Sequence, residues 1–364
     1  MPYFNFSNIA IRGISVAVPK QVVDIKSYIP KFGEENVYKF MAFTGIEKTH
    51  VTREEQTASD LGFEAADRLL REKNIDRASV GALIFVTQSP DYKRPATSFV
   101  LQHRLGLSQD CAVFDVNLGC SGFVCAFQTA CSMMSSSDMK MALVIVAETS
   151  SKAMWPNDKS SAMLFGDCGA AVLIERSENA PQIRGGIWSD GDRYKAIIIP
   201  AGGARDNSAP HEPFVGRDEC EHMPYYQIMN GADVFQFSIS DVPKTAKAFF
   251  EKTGAAAADY DLFAIHQANW YIVKQLINKL KLAKEKVHRS LDRYGNTGGM
   301  SIPLTLCDAL GGRDDDSLMH VFMMGFGIGL SWGIVDAFIS PDAVLPVLET
   351  DAYYKDGIID YTDI

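Results

Sequence analysis

Short, unbroken apolar runs set the tightest limit on what this chain can become. IAIRGISVAV (9–18), GALIFVTQ (81–88), AVFDVNL (112–118), MALVIVAE (141–148), CGAAVLIE (168–175), LFAIHQ (262–267), HVFMMGFG (320–327) and GIVDAFIS (333–340) are β-rich and do not alternate strictly. A strand that is apolar on both faces must be covered on both, and helices are the usual cover. Helical patterns lie between the runs: TASDLGFEAADRLLREK from Thr57, SFVLQHRLG from Ser98, VFQFSISDVPKTAKAFFEK from Val234 and NWYIVKQLINKLKL from Asn269. The first opens on Thr57-x-x-Asp60, a helix-start signal. Strands alternating with helices predict an α/β architecture.

The second half echoes the first. GALIFVTQSP is matched by DLFAIHQANW, AVFDVNLGCSGF by SLDRYGNTGGMSIP, and MALVIVAE by HVFMMGFG, in the same order. This predicts a duplicated unit with a boundary near 175–190: one half over 1–180, a second over 181–341, and an acidic tail over 342–364. A site shared by two such halves belongs where the carboxyl ends of their strands meet. The tail carries six acids and one lysine and is expected to be solvated or loosely docked.

The totals exclude some functions. A net charge of −10 argues against a nucleic-acid partner. No apolar run approaches the roughly 18 residues a membrane span needs. The start, MPYFNFSNIAIRG, lacks the basic-then-apolar order of a secretory signal. Seven cysteines, an odd number, fit reduced thiols in a cytoplasm better than a disulfide framework.

Three of those cysteines fall in DVNLGCSGFVCAFQTACSMM (115–134). After Gly119 the run is too apolar on every side for a surface helix, so a buried helix is expected. Cys131 would then lie about 16 Å beyond Cys120, and no C-x-x-C occurs, so no metal site is expected. Cys125 and Cys131 read as small core residues. Cys120 differs, because it stands between a strand and the helix, flanked by Gly119 and Ser121-Gly122. A thiol at the positive end of a helix has its pKa lowered, which favours the nucleophilic thiolate. A buried cysteine in a glycine-rich turn is the plain alternative. His266, at the exit of LFAI, and Asn296, in YGNTGG, stand at matching points of the repeat and supply polar partners.

With these residues in view, a family resemblance emerges. DVNLGCSGF, LFGDCGAAVL, HQAN, YGNTGG and FGIGLSWG stand in the order and spacing of β-ketoacyl-acyl-carrier-protein synthase III. From about residue 8 to 340 the chain resembles this family of thiolase-fold condensing enzymes. The resemblance implies a layered α-β-α-β-α sandwich, an acyltransferase, no cofactor and a homodimer. It implies that Cys120 takes an acyl group, and that a malonyl thioester, on acyl carrier protein, then loses carbon dioxide and attacks it. His266 and Asn296 match the donors that stabilise the enolate. The backbone N–H groups of Cys120 and Ile328 match the oxyanion hole. The family often has glycine at the latter position, and a backbone donor survives the change.

Departures from the family bear on substrate. Lys39 stands where a tryptophan stacks on coenzyme A, and Phe43, Ala153 and Tyr271 replace arginines. Without arginine's bidentate fork the grip on the nucleotide is missing, so the acyl donor is expected on a carrier protein. Lys274, Lys279 and Lys281, with Lys284 and Lys286 beyond, form a basic patch that reads either as a carrier-docking surface or as a solvated helix face. Arg94, in SPDYKRPATS, falls near the point where a partner subunit closes the family's acyl tunnel. Two other functions compete: acyl transfer from Cys120 to an amine or hydroxyl without decarboxylation, and a non-catalytic heterodimer partner.

Overall fold

In the computed structural model, which describes residues 3–362, the apolar runs form one six-stranded and one five-stranded sheet. In chain order the strands are β1 (Tyr3–Phe6), β2 (Ile9–Pro19), β3 (Val80–Val86), β4 (Ala112–Val116), β5 (Met141–Glu148), β6 (Cys168–Arg176), β7 (Ile183–Ser189), β8 (Leu262–Ile265), β9 (Met319–Gly327), β10 (Ser331–Ile339) and β11 (Leu348–Thr350). The first sheet runs β11-β2-β6-β5-β3-β4 and the second β1-β7-β10-β9-β8. The order β2-β6-β5-β3 therefore recurs as β7-β10-β9-β8. Strand sense recurs with it, because β5/β3 and β9/β8 are parallel and the other pairs antiparallel. The edge strand β4 has no counterpart, since Leu291–Tyr294 coils into a helical turn instead.

The principal helices are α1 (Glu34–Thr44), α2 (Ala58–Glu72), α3 (Thr97–Leu105), α4 (Gly122–Ser135), α5 (Gly231–Thr253), α6 (Trp270–Leu280) and α7 (Ser301–Leu310). Period-two alternation in the strands sorts them into layers. Leu83 and Phe85 of β3 pack with Leu69 of α2 and Leu101 of α3, whereas Ile84 and Val86 join the cluster of α4 and α7. On β9, Val321 and Met323 face that same middle cluster, while Phe322 and Met324 pack with Phe249 of α5 and Leu276 of α6. The result is five layers, with α4 and α7 between the two sheets. A helix covered on two sides must be apolar nearly all round, and Phe123, Val124, Phe127, Ala130 and Cys131 of α4 are fully buried. Among the described residues no helix is long and apolar enough to cross a membrane.

The tail departs from expectation. Ala343, Val344 and Leu345 are buried, and β11 adds a parallel strand to β2. Further on, the Tyr354 N–H donates to Asp60 Oδ1 at 2.9 Å, Gln56 donates to Ala352 O at 3.0 Å, and Tyr92 donates to Gly357 O. The Arg104 guanidinium lies between the Phe63 ring at 4.4 Å and the Tyr354 ring at 4.6 Å, and pairs with Asp60 at 2.9 Å. Counting charges missed this because apolar side chains, a tyrosine ring and backbone groups make most of the contacts, the exposed Lys20–Asp351 pair at 3.2 Å being an exception.

Arg104 and Asp60 are 7% and 3% exposed, so removing one strands the other's charge in the interior. Arg104→Met is expected to lower the unfolding free energy by about 3 kcal/mol. A lower urea midpoint at unchanged slope would register it. An unchanged midpoint would mean that Thr57 and Tyr354 suffice to hold Asp60.

Candidate active site

β4 ends at Val116, and four residues later Cys120 enters the turn into α4. The Gly122 N–H closes that turn on Gly119 O at 2.8 Å. The end of β9 passes directly over the sulfur: a Cβ on Gly327 would sit 2.8 Å from Cys120 Sγ. Only glycine allows that approach. Beyond it, the Ser331 hydroxyl donates to Ile328 O at 2.9 Å and shares a 2.5 Å bond with Ser121. With the Ser331 proton given to Ile328, Ser121 is the donor in the second bond. This pair fixes the loop so that the Ile328 N–H points at the thiol.

His266 continues β8, its N–H donating to Met324 O at 2.8 Å. Its Nδ1 lies 2.8 Å from Ser301 Oγ at the start of α7, and the Phe326 ring meets it edge-on. Nε2 is the nitrogen left for the cavity. Burial pushes the imidazole down to about 4, with the Gly298 backbone opposing, so the ring is neutral at neutral pH. Asn296 accepts the Gly298 N–H on Oδ1 at 2.9 Å, which leaves its NH₂ as the group available to the cavity. Its backbone is bonded to Leu164 O and to the Gly166 N–H. This accounts for the LFGD motif. A Cβ on Gly166 would meet Tyr294 O at 2.1 Å, and buried Asp167 takes N–H and hydroxyl donors from Thr52 and Ser151. The remaining polar residues of HQAN serve the scaffold: Gln267 braces His288, Ser290, Leu291 and Thr305, and Asn269 caps α6.

The thiol contradicts the sequence expectation. Burial pushes Cys120 up to about 12, the Ile328 N–H opposing and the Glu148 carboxylate adding to the rise. A helix terminus contributes about 0.3–1 kcal/mol, too little to offset the hydration a buried thiolate loses. Glu148 was not singled out from sequence. The signal was present, in a lone acid closing the apolar run MALVIVAE. Burial pushes its carboxyl up to about 7, against hydrogen bonds from the Ser89 hydroxyl and the Gln88 N–H.

Two cavities meet at Cys120. The larger, about 540 Å³, is walled by Cys120, His266, Asn296 and Ile328 together with apolar groups such as Phe40, Phe43 and Phe235. The smaller, about 360 Å³, extends from Cys120 past Glu148. The other singled-out positions scatter. Phe43 stacks on Tyr271 at 5.0 Å and Tyr271 on Phe235 at 5.7 Å, an aromatic cluster at the larger cavity's rim, while exposed Lys39 pairs with Glu35 at 2.6 Å. Ala153 lies instead on the smaller cavity. Lys274, Lys279 and Lys281 are exposed, whereas Lys286 donates to Ala258 O and Tyr260 O. Arg94 is exposed and lines neither cavity of its own chain.

Residues 114–190 match the family 3-Oxoacyl-[acyl-carrier-protein (ACP)] synthase III, and 250–336 match its C-terminal counterpart. A β-ketoacyl-[acyl-carrier-protein] synthase III from Clostridium perfringens is 33% identical over 328 residues, 90% of this chain and 98% of that one. One from Streptococcus equi subsp. zooepidemicus is 34% identical over 327 residues, 89% and 97% of the two chains. The crystal structure of a 3-oxoacyl-(acyl-carrier protein) synthase from Burkholderia xenovorans superposes with a TM-score of 0.89 at 30% identity, covering 96% and 99%. A β-ketoacyl synthase III from Thermus thermophilus gives 0.78 at 30% identity, covering 90% and 98%.

A thiol raised this far has almost no thiolate at neutral pH. Iodoacetamide labelling of Cys120, followed by peptide mass, is expected to rise about tenfold per pH unit from about pH 6 to about pH 9 without a plateau. A plateau near pH 8 would mean that the helix terminus outweighs burial.

Proposed function

Because the chain belongs to the 3-oxoacyl-[acyl-carrier-protein] synthase III family of thiolase-fold condensing enzymes, we propose that it joins an acyl group held on Cys120 to a malonyl thioester with loss of carbon dioxide. One observation carries the proposal. A buried thiol, a neutral histidine, an asparagine with its oxygen already occupied and the residue of a backbone N–H all line the larger cavity.

In the first half, Cys120 Sγ attacks the carbonyl carbon of an acyl thioester. The N–H groups of Cys120 and Ile328 receive the developing oxyanion. The C–S bond to the donor breaks, and the thiol proton leaves on the departing thiol. In the second half, a malonyl thioester occupies the larger cavity. Its carboxylate loses hydration among apolar walls, and departure as neutral carbon dioxide relieves that cost. The enolate oxygen takes hydrogen bonds from His266 Nε2–H and the Asn296 NH₂. A Ser301 hydroxyl donating to Nδ1 selects that tautomer. The enolate carbon then attacks the acyl carbonyl, a C–C bond forms, and the C–S bond to Cys120 breaks. The released thiolate takes up a proton, and a 3-oxoacyl thioester leaves.

The donor side favours a carrier protein. Aromatic rings at the rim and a Lys39 already paired with Glu35 offer poor anchorage to nucleotide phosphates. The exposed Lys274, Lys279 and Lys281 give an acidic carrier a surface to approach. A homodimer is supported by β4, an edge strand whose Val113, Phe114 and Val116 are only half-buried in the single chain. Such a dimer would bring the exposed Arg94 loop of one subunit towards the acyl cavity of the other.

Intact-protein mass after mixing with acyl-coenzyme A or acyl-carrier protein tests the assignment. An acyl adduct is expected from the carrier and not from coenzyme A, and Cys120→Ala abolishes it. His266→Ala and Asn296→Ala should still load acyl but release carbon dioxide from malonyl-carrier at least about a hundredfold more slowly. Equal loading from coenzyme A would sink the carrier preference. Loading that persists in Cys120→Ala would sink the nucleophile.

A further inference from the structure

The tail lies beyond the family match, which ends at residue 336. Its contacts converge on one loop. After β11 it runs across the start of α2, where Arg53 donates to Asp351 O at 2.6 Å and Gln56 and Asp60 hold Ala352 and Tyr354. It then reaches loop 87–96, which joins β3 to α3, and the Tyr92 hydroxyl donates to Gly357 O. A Cβ on Gly357 would meet Tyr354 Cδ1 at 2.9 Å and lie 3.6 Å from the Tyr92 hydroxyl. The tail backbone is thus seated between two tyrosines.

The loop borders the site. At its start, the Gln88 N–H and the Ser89 hydroxyl donate to Glu148, and both residues line the smaller cavity beside Cys120. The Gln88 amide donates to Asn117 Oδ1 at 3.1 Å, and its Oε1 sits 2.8 Å from where a Cβ on Gly119 would stand. Just past its end, the Asp115 carboxylate accepts the Thr97 and Ser98 N–H groups at 2.7 and 2.8 Å. Both ends are therefore fixed by carboxylates of the first sheet. The middle is fixed by the tail, twice. Ser59 donates to Asp91 Oδ2 at 2.7 Å and accepts from Arg104 at 3.1 Å, the arginine on which Tyr354 stacks. The second hold is the Tyr92 bond. Among the described residues it is the one hydrogen bond made by residues 92–95, and Lys93, Arg94 and Pro95 are exposed. A segment with so few bonds is as ordered as the element that grips it.

We propose that the C-terminal tail is a brace that positions loop 87–96, and through it the Gln88–Ser89 wall beside Cys120. Tyr92, Tyr354 and Gly357 are then positioning residues for acyl loading, although none of them lines either cavity. The inference rests on the reading that Cys120 takes the acyl group. Cys120, His266 and Asn296 have no contact with the tail, so its release should weaken donor binding and leave the chemical step alone.

Two variants test this. A chain ending at Ala352 keeps β11 and the Gln56 bond but lacks the grip, and Tyr92→Phe removes one hydroxyl. Hydrogen exchange by mass spectrometry reads the loop through the bonded amides of Asp91, Thr97 and Ser98, with β5 as the internal reference. Exchange over 88–98 is expected to quicken about tenfold in the shortened chain and severalfold in Tyr92→Phe, with β5 unchanged. Acyl loading from acyl-carrier protein should show KM raised severalfold and the saturating rate within about twofold of wild type. Unchanged exchange over 88–98 in both variants would overturn the brace. So would equal quickening in β5, which would mean general loosening. A looser loop with unchanged KM, or a lower saturating rate at unchanged KM, would overturn the positioning role while leaving Cys120 as the nucleophile. Wild type that takes no acyl group would overturn the Cys120 reading and the positioning role with it.

Discussion

Everything at the site depends on how closely two sheets close on one buried helix. α4 buries Phe123, Val124, Phe127, Ala130 and Cys131 between the sheets and leaves the stripe of Cys125, Gln128, Thr129 and Ser132 less covered. β5 and β3 lie on one face and β9 and β10 on the other. Its first turn therefore opens inside the molecule. β9 can pass over that turn only because residue 327 has no side chain to strike Cys120 Sγ. The same closure brings Ile328 within reach of the sulfur, and the Ser331–Ser121 bond holds it there. The geometry of the candidate nucleophile is thus a consequence of packing in the middle layer.

That burial also sets the chemistry. With the thiol raised and His266 depressed, both groups are neutral near pH 7. The site does not rely on a standing thiolate–imidazolium pair. On the proposed mechanism it offers neutral donors to the developing charge, and a fixed dipole is far less costly to bury than an ion. Ser301 contributes through His266, because its 2.8 Å bond to Nδ1 leaves Nε2 for the cavity. On the proposed mechanism, a protonated His266 would bring a full charge into the cavity, and a mispositioned tautomer would present a lone pair to an anion.

Much of this was legible in the sequence. Buried strands declare themselves as unbroken apolar runs, and all eight such runs became strands of the two sheets. The motifs around Cys120 and Asn296 were readable because each couples a polar side chain to glycines that permit close approach, and that around His266 because a polar cluster follows an apolar strand. Other features were not. β7, Ile183–Ser189, is interrupted by an arginine and two glycines, so it lacks the apolar signature although it pairs with both β1 and β10. The tail's docking rests on a cation–π stack with Arg104 and on backbone donors, neither of which charge counting registers. The sign of the Cys120 shift was lost because local sequence reveals the helix start but not the degree of burial. That degree is decided by β9, two hundred residues away.

The two cavities differ in kind, and the difference bears on how one site could handle two thioesters in turn. The larger is lined mainly by apolar groups, with Gln227 and Ser238 among the few polar side chains besides His266 and Asn296, so on the proposed mechanism it offers a malonyl carboxylate little reason to persist. The smaller carries Glu148, Thr149, Ser150 and Gln227 and is lined by neither His266 nor Asn296. If the two linings were exchanged, a polar outer cavity would stabilise the malonyl carboxylate and slow its loss. On the proposed mechanism, this division leaves decarboxylation to the drier of the two cavities. Gln227, shared by both walls, stands at the boundary between those two environments.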